Sequence, residues 1–308
     1  MNHAHYTAWS GEKGPKKSVS RRPFKRFIGV DLGGGKGKKT ALAVLDVGVD
    51  GCDGVAVTRI APRAGGVPLY DAALVEFIRG CGDDAVVCVD APLTLPACLR
   101  CALPACPGQE SCVDVSVVEM RRLALSGAPQ AASRDERRGK PMLTPYTQRA
   151  TEIYLHRRRG ILPRETLGQG MGPLTARAAH LARALADRYR LHENLIEVFP
   201  RATLELLGFR EPYKKRVDRR VEILACIPDL TFGPGVWREE CRKSDHLFDA
   251  VIAAYTGYLW SRDNWSLPAD TTPAVLQDGW IWVPPETETS VLPTELPDDE
   301  PAQRRTLP

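Results

Sequence analysis

Four carboxylates stand where elements of this 308-residue sequence end, and their placement is the strongest chemical signal in it. Asp31 closes the apolar run "FIGV", Asp90 closes "AVVCV", Glu197 lies inside "NLIEVFP", and Asp249 sits in the apolar stretch "SDHLFDAVIAAYTGYLW". Asp245 and Asp249 are four residues apart, so on a helix they share a face. An acid between Phe248 and "AVIAA" is costly to bury without a cation or a polar partner. Oxygen donors gathered in this way bind hard divalent ions such as Mg²⁺ or Mn²⁺. Two such ions can activate a water and stabilise the leaving oxygen of a phosphodiester. His246, three residues before Asp249, could join as a ligand or carry a proton.

A second constellation is "CLRCALPACPGQESC", in which Cys98, Cys101, Cys106 and Cys112 are spaced C-x2-C-x4-C-x5-C. Four thiolates so close in sequence can close a tetrahedral zinc site, and an iron–sulfur cluster has the same requirement. The cysteines in the remainder of the chain are scattered, and Cys88, inside an apolar run, reads as a core residue. Trp237, Trp260, Trp265, Trp280 and Trp282 read mainly as core and edge packing; His156, His180 and His192 read as surface residues.

A third feature is the loop after Asp31, "LGGGKGKKT". It fails as a phosphate-binding P-loop, which needs G-x-x-x-x-G-K-[ST] opening a helix. Lys39-Thr40 follows Lys38 where glycine belongs, and the next segment, "ALAVLDV", reads as a strand. The loop is therefore expected to be a hairpin turn whose glycines give clearance around Asp31. Lys36, Lys38 and Lys39 are then candidates to hold a substrate phosphate, with Arg149.

These residues need a scaffold. Phe27–Asp31, the "TALAVLDVG" segment and "GVAVTRIAP" read as three strands joined by short turns, hence antiparallel. "PLYDAALVEFIRGCG" reads as an amphipathic helix with a glycine stop. "DAVVCVD" is wholly apolar, as in a central strand buried on both faces. Residues 93–190 interrupt the rhythm as an insertion holding the cysteine segment 98–112, with helices expected near Ser116–Ala124, Tyr146–Arg159 and Thr175–Leu191. "NLIEVFP" is a further short strand, followed by helices "RATLELLG", "YKKRVDRRVEILACI" and the apolar "SDHLFDAVIAAYTGYLW", with Ser244 as its N-cap. "LQDGWIWVP" reads as an edge strand. The expected fold is a mixed α/β sheet with its first and fourth strands neighbours at the centre. In open sheets ligands bind at the carboxyl ends of the strands, which is where Asp31 and Asp90 fall.

Composition bounds the rest. The apolar fraction is 43% and the charged fraction 26%, as in a globular protein. No apolar run approaches the roughly 20 residues of a membrane span. The basic N-terminus lacks the apolar core of a secretory signal, so the cytoplasm is the expected location. Net charge is +4, with basic residues crowded before residue 27 and between Arg121 and Arg164, which suggests nucleic acid as partner. Residues 1–25 are expected to form a disordered basic arm and residues 286–308 a disordered acidic tail, flanking a single domain over 26–285.

The motifs "IGVDLGGGKGKKTALAVLD", "VVCVDAPLTLP", "IEVFPRATLELLG" and "DHLFDAVIAA", in this order, resemble a predicted-nuclease family of RNase H-like fold, a domain of unknown function (429). The resemblance spans about residues 25–285 and is loosest near 95–145. It implies that Asp31, Asp90 and Asp249 bind metal, with Glu197 or Asp245 completing the set. The segment "QRATEIYLHRRRGI" is similar to the family's Arg-x-x-acid helix, which adds Arg149 and Glu152. The implied activity is metal-dependent hydrolysis of DNA or RNA phosphodiesters. Two other classes compete with it. One is a nucleic-acid-binding or regulatory protein that keeps the fold without catalysis. The other is an ATP-using relative of the actin-like and sugar-kinase group, which needs a second glycine-rich hairpin that this sequence lacks.

Overall fold

A computed structural model describes residues 24–35, 39–49, 54–126 and 143–286. The expected arm and tail, apart from Phe24, Lys25 and Glu286, lie outside these, as do Lys36 and Lys38. Strands β1 (Arg26–Asp31), β2 (Ala41–Val47) and β3 (Val55–Ala61) pair antiparallel. A small hairpin of β4 (Arg63–Ala64) and β5 (Val67–Pro68) leads to α1 (Asp71–Gly80) and then to β6 (Ala85–Asp90), which returns parallel to β1. The inserted region follows as α2 (Ala97–Arg100), α3 (Val115–Leu125), α4 (Ala150–Arg159) and α5 (Gly172–Leu185). Then come β7 (Leu195–Val198), α6 (Pro200–Leu206), α7 (Val217–Cys226), β8 (Leu230–Phe232), α8 (Glu240–Lys243), α9 (Asp245–Arg262) and β9 (Ile281–Trp282). The sheet has seven strands in the order β8-β3-β2-β1-β6-β7-β9, so β1 and β6 are central neighbours as the apolar runs imply.

Side chains alternate across a strand, so each face of the sheet collects its own core. Ile28, Val30, Leu42, Val44, Val87 and Val89 pack against Leu74 and Ile78 of α1 and Ala178, Leu181 and Leu185 of α5. Phe27, Ala43, Leu45, Val86 and Cys88 form the other face, covered by α9. Helix α9 is buried on nearly every side, from Leu247 to Trp260, which is why its sequence is apolar all round. Two glycines let it lie directly on the strands. A Cβ on Gly29 would stand 1.9 Å from the Ala250 carbonyl oxygen, and one on Gly257 would stand 2.1 Å from Cys88 Sγ.

The structure moves several expected boundaries. Helix α4 starts at Ala150 instead of Tyr146, because Thr144–Gln148 form a turn in which Gln148 Oε1 accepts from the Thr144 N–H at 2.9 Å. Helix α5 ends at Leu185, not Leu191. Helix α7 begins at Val217, leaving Tyr213–Arg216 outside it. Strand β8, parallel to β3 at one edge, is too short to leave a periodic signal. Trp260, Trp265, Trp280 and Trp282 are buried as expected, whereas Trp237 is exposed. His192 is not a surface bystander. It adopts φ 66°, its Nε2 lies 2.9 Å from the Leu276 carbonyl oxygen, and its Nδ1 accepts from Trp282 Nε1 at 3.2 Å. Among the described residues no helix is long and apolar enough to cross a membrane.

Candidate functional site

Register and parity decide which acids meet. Asp31 is directly opposite Asp90 in the parallel β1–β6 ladder, so both side chains leave the sheet on the same face. That face also carries Phe27 and Cys88, and it is the face covered by α9. With Gly29 under Ala250 and Ala254, the first turn of α9 arrives over the carboxyl ends of β1 and β6. The Ser244 hydroxyl caps this turn by accepting from the His246 N–H at 3.2 Å. His246 Nδ1 then lies 2.7 Å from Asp31 Oδ2. One turn further, Asp249 is buried at 3% exposure, its Oδ1 accepting from the Tyr213 hydroxyl at 2.7 Å and its Oδ2 lying 3.6 Å from Lys214 Nζ.

The electrostatics are those of an acid cluster short of cations. Burial raises the Asp90 carboxyl well above its usual range, and the charges of Asp31 and Asp249 raise it further. Burial likewise pushes Asp249 up to about 6, with Lys214 opposing and Asp31 adding to the rise. The His246 ring is held above its usual value by its hydrogen bond to Asp31, against the effect of burial. Asp245 also faces this group closely enough to raise both His246 and Asp249.

Glu197 lines the same cleft as Asp31 and Asp90 and its charge adds to the rise at Asp90, but its oxygens are held by other partners. It is in register with Val89 and not Asp90, so its side chain leaves the sheet on the opposite face. There Arg149 grips it with two bonds, Nη1 to Oε2 at 2.8 Å and Nη2 to Oε1 at 2.6 Å, and the Leu93 N–H donates to Oε2 at 3.0 Å. Arg149 is fully buried and also binds Glu152 through Nη2 at 2.7 Å, while the Thr166 hydroxyl donates to Glu152 at 2.7 Å. Burial works against the Arg149 charge, but the two glutamates outweigh it and raise the pKa. Arg149 and Glu152 thus form a closed buried network with Glu197. Arg149, a sequence candidate for phosphate contact, is committed to two carboxylates.

A cleft of about 860 Å³ opens over Asp31 and Asp90. Arg164, Lys214, Lys215 and Arg216 line it together with the apolar Leu32 and Phe199. Sequence reading missed this basic wall, because "YKKR" was absorbed into a helix that begins only at Val217. Lys39 faces a separate cavity of about 520 Å³, shared with Arg63, Lys243 and His246. The glycine loop is anchored by Arg177, which donates to the Gly33 carbonyl and, at 2.8 Å, to Thr40 Oγ1.

The donor set fits a hard divalent cation: carboxylate oxygens converge at the strand ends, and the charge they bring together exceeds that of the nearby lysine. The oxygens are gathered but turned to other partners, Asp31 to His246 and Asp249 to Tyr213. Among the described residues no three His, Cys, Asp or Glu side chains are already closed around one point.

The family model described as "Protein of unknown function (DUF429)" matches residues 29–273, which include Asp31, Asp90, Glu197 and Asp249. No curated protein and no solved structure matches the chain. The match begins inside β1, ends beyond α9 and so takes in the whole acid cluster: the chain belongs to the DUF429 family.

Proposed function

We propose that this protein is a metal-dependent nuclease that hydrolyses phosphodiester bonds of DNA or RNA. The observation that carries the reading is the in-register pair Asp31 and Asp90, on the sheet face that α9 covers with Asp249 and His246. The basic wall of Lys214, Lys215 and Arg216 supports it, because a polyanion needs cations beside such a cluster. The resemblance to a predicted-nuclease family of RNase H-like fold points the same way, as an analogy of fold.

Asp31, Asp90 and Asp249 would hold Mg²⁺ or Mn²⁺, with Asp245 close by. The bound ion supplies Lewis-acid activation of water and offsets the charge of the phosphodiester. The chain's own residues do the remaining work. His246 orients the Asp31 carboxylate through Nδ1, and the same hydrogen bond raises its pKa. Tyr213 fixes Asp249. Lys214, Lys215 and Arg216 hold substrate phosphates along the cleft. Glu197 and Arg149 act at one remove, bracing the segment after Asp90 through the Leu93 N–H and the Thr94 hydroxyl, which accepts from Arg149 at 2.9 Å. We place the protein in the cytoplasm, a reading supported by eight free cysteines among the described residues.

The test is cleavage of labelled duplex, single-stranded and branched DNA and RNA with Mg²⁺ or Mn²⁺, with Asp31→Asn and Asp249→Asn alongside. Cleavage by wild type alone is expected. Equal cleavage by Asp31→Asn would sink the site, and binding without cleavage by the wild type would favour a regulatory nucleic-acid-binding protein.

A further inference from the structure

The inserted segment between α2 and α3 is built unlike the rest of the domain. None of residues 101–115 is buried. Leu103 is 57% and Val113 83% exposed, so the segment's aliphatic side chains make no core of their own. Its ends are nevertheless pinned. Upstream, Arg100 pairs with the buried Asp278, and the Cys98 N–H donates to the Pro145 carbonyl at 3.2 Å. Downstream, Asp114 caps α3 by accepting from the Ser116 and Val117 N–H groups at 2.9 and 3.3 Å. Between the two ends Arg121 reaches in from α3 and donates to the carbonyls of Gln109 and Cys112.

Into this pinned loop the sequence places four thiols. Cys98, Cys101, Cys106 and Cys112 fall within fifteen residues, at the spacing C-x2-C-x4-C-x5-C. The Gly108 N–H points at Cys106 Sγ at 3.4 Å, the kind of backbone donor that stabilises a metal thiolate. Gly108 itself turns the chain with φ 86°. A loop with fixed ends, no apolar core and four cysteines close in sequence lacks one component, a centre to hold it.

We propose that Cys98, Cys101, Cys106 and Cys112 form a structural tetrathiolate zinc site. Binding converts Zn²⁺ and four thiols into one Zn–S₄ centre and releases four protons, with no change of oxidation state. Zinc suits the position better than an iron–sulfur cluster, because Cys101 and Cys106 are exposed and zinc has no redox chemistry for solvent to disturb. The sulfurs draw together around the ion as it binds, since the described residues hold no ready-closed group of three ligands. This site is independent of the carboxylate cluster and of the nuclease reading.

The experiment is elemental analysis of the full-length protein purified under reducing conditions without added metal. About one zinc per chain is expected, the stoichiometry of a closed four-ligand site. Asp31→Asn and Cys226→Ser should keep it, and Cys101→Ser/Cys106→Ser should lose it. Cobalt titration of the zinc-stripped wild type should give the absorption of a tetrahedral thiolate complex, a measurement that does not depend on any variant folding. Zinc that is undetectable even after reconstitution and desalting would overturn the proposal. So would zinc retained by the double cysteine variant, or iron and sulfide found in its place.

Discussion

His246 Nδ1 stands 2.7 Å from Asp31 Oδ2, although the two residues are 215 positions apart in the chain. The contact joins the first turn of α9 to the end of β1, so it reports whether the acid cluster is assembled. The imidazole touches Asp31 and orients it. His246→Ala should therefore lower cleavage by about 10- to 100-fold, the usual effect of losing a partner of a ligating group. His246→Gln, which can keep a hydrogen bond to Asp31, should recover part of that loss. Steady-state cleavage rates of the three proteins are the check.

Asp249 carries a prediction for the metal-free protein. Its carboxyl is raised by burial to about 6, against 3.8 for the ordinary group. The folded state therefore holds the proton more tightly than the unfolded chain does. Stability from this group is fully present below about pH 4 and is lost as pH rises through about 6, the reverse of a salt-bridged aspartate. In chelator at neutral pH, Asp249→Asn should stabilise the protein by about 2–3 kcal/mol, from the size of the shift. Mg²⁺ should raise the melting temperature of wild type more than that of the variant. Thermal melts with and without Mg²⁺ test both statements.

Arg149 should behave as a structural residue. It is buried between Glu152 and Glu197, and removing it leaves two carboxylates without their cation. Arg149→Met should cost about 3–5 kcal/mol, the range for breaking a buried ion pair from one side. Arg149→Lys should rescue only part, because an ammonium cannot reproduce the two-pronged grip on Glu197. Denaturant unfolding of the variants measures this directly.

Gly29 links the fold to the chemistry. A Cβ there would meet the Ala250 carbonyl oxygen at 1.9 Å, so Gly29→Ala must push α9 away from β1. Overpacking of this kind costs about 1–3 kcal/mol. The shift would also part Asp249 and His246 from Asp31. Cleavage should therefore fall well beyond the loss of folded protein, measured at a temperature where the variant remains folded by circular dichroism.

The sequence by itself determined the sheet's centre, because wholly apolar runs ending at Asp31 and Asp90 can satisfy their backbone only as neighbouring buried strands. It also determined that Asp249 belongs to a buried helix, since an acid within so apolar a stretch has no solvent face to occupy. It left open which acids meet. Asp31 and Asp90 share a face because the parallel ladder sets them in register, while Glu197, one residue out of step, turns to the other face and to Arg149. No local pattern carries that parity; it exists only once strands are paired. The basic wall at Lys214–Arg216 was hidden for a similar reason, since a helical spacing of apolar residues continues past the point where the helix starts. The closeness of α9, and with it the bond from His246 to Asp31, depends on two glycines on different elements facing opposing atoms. Such a fit belongs to the packed molecule, because steric complementarity has no meaning along a single strand or helix.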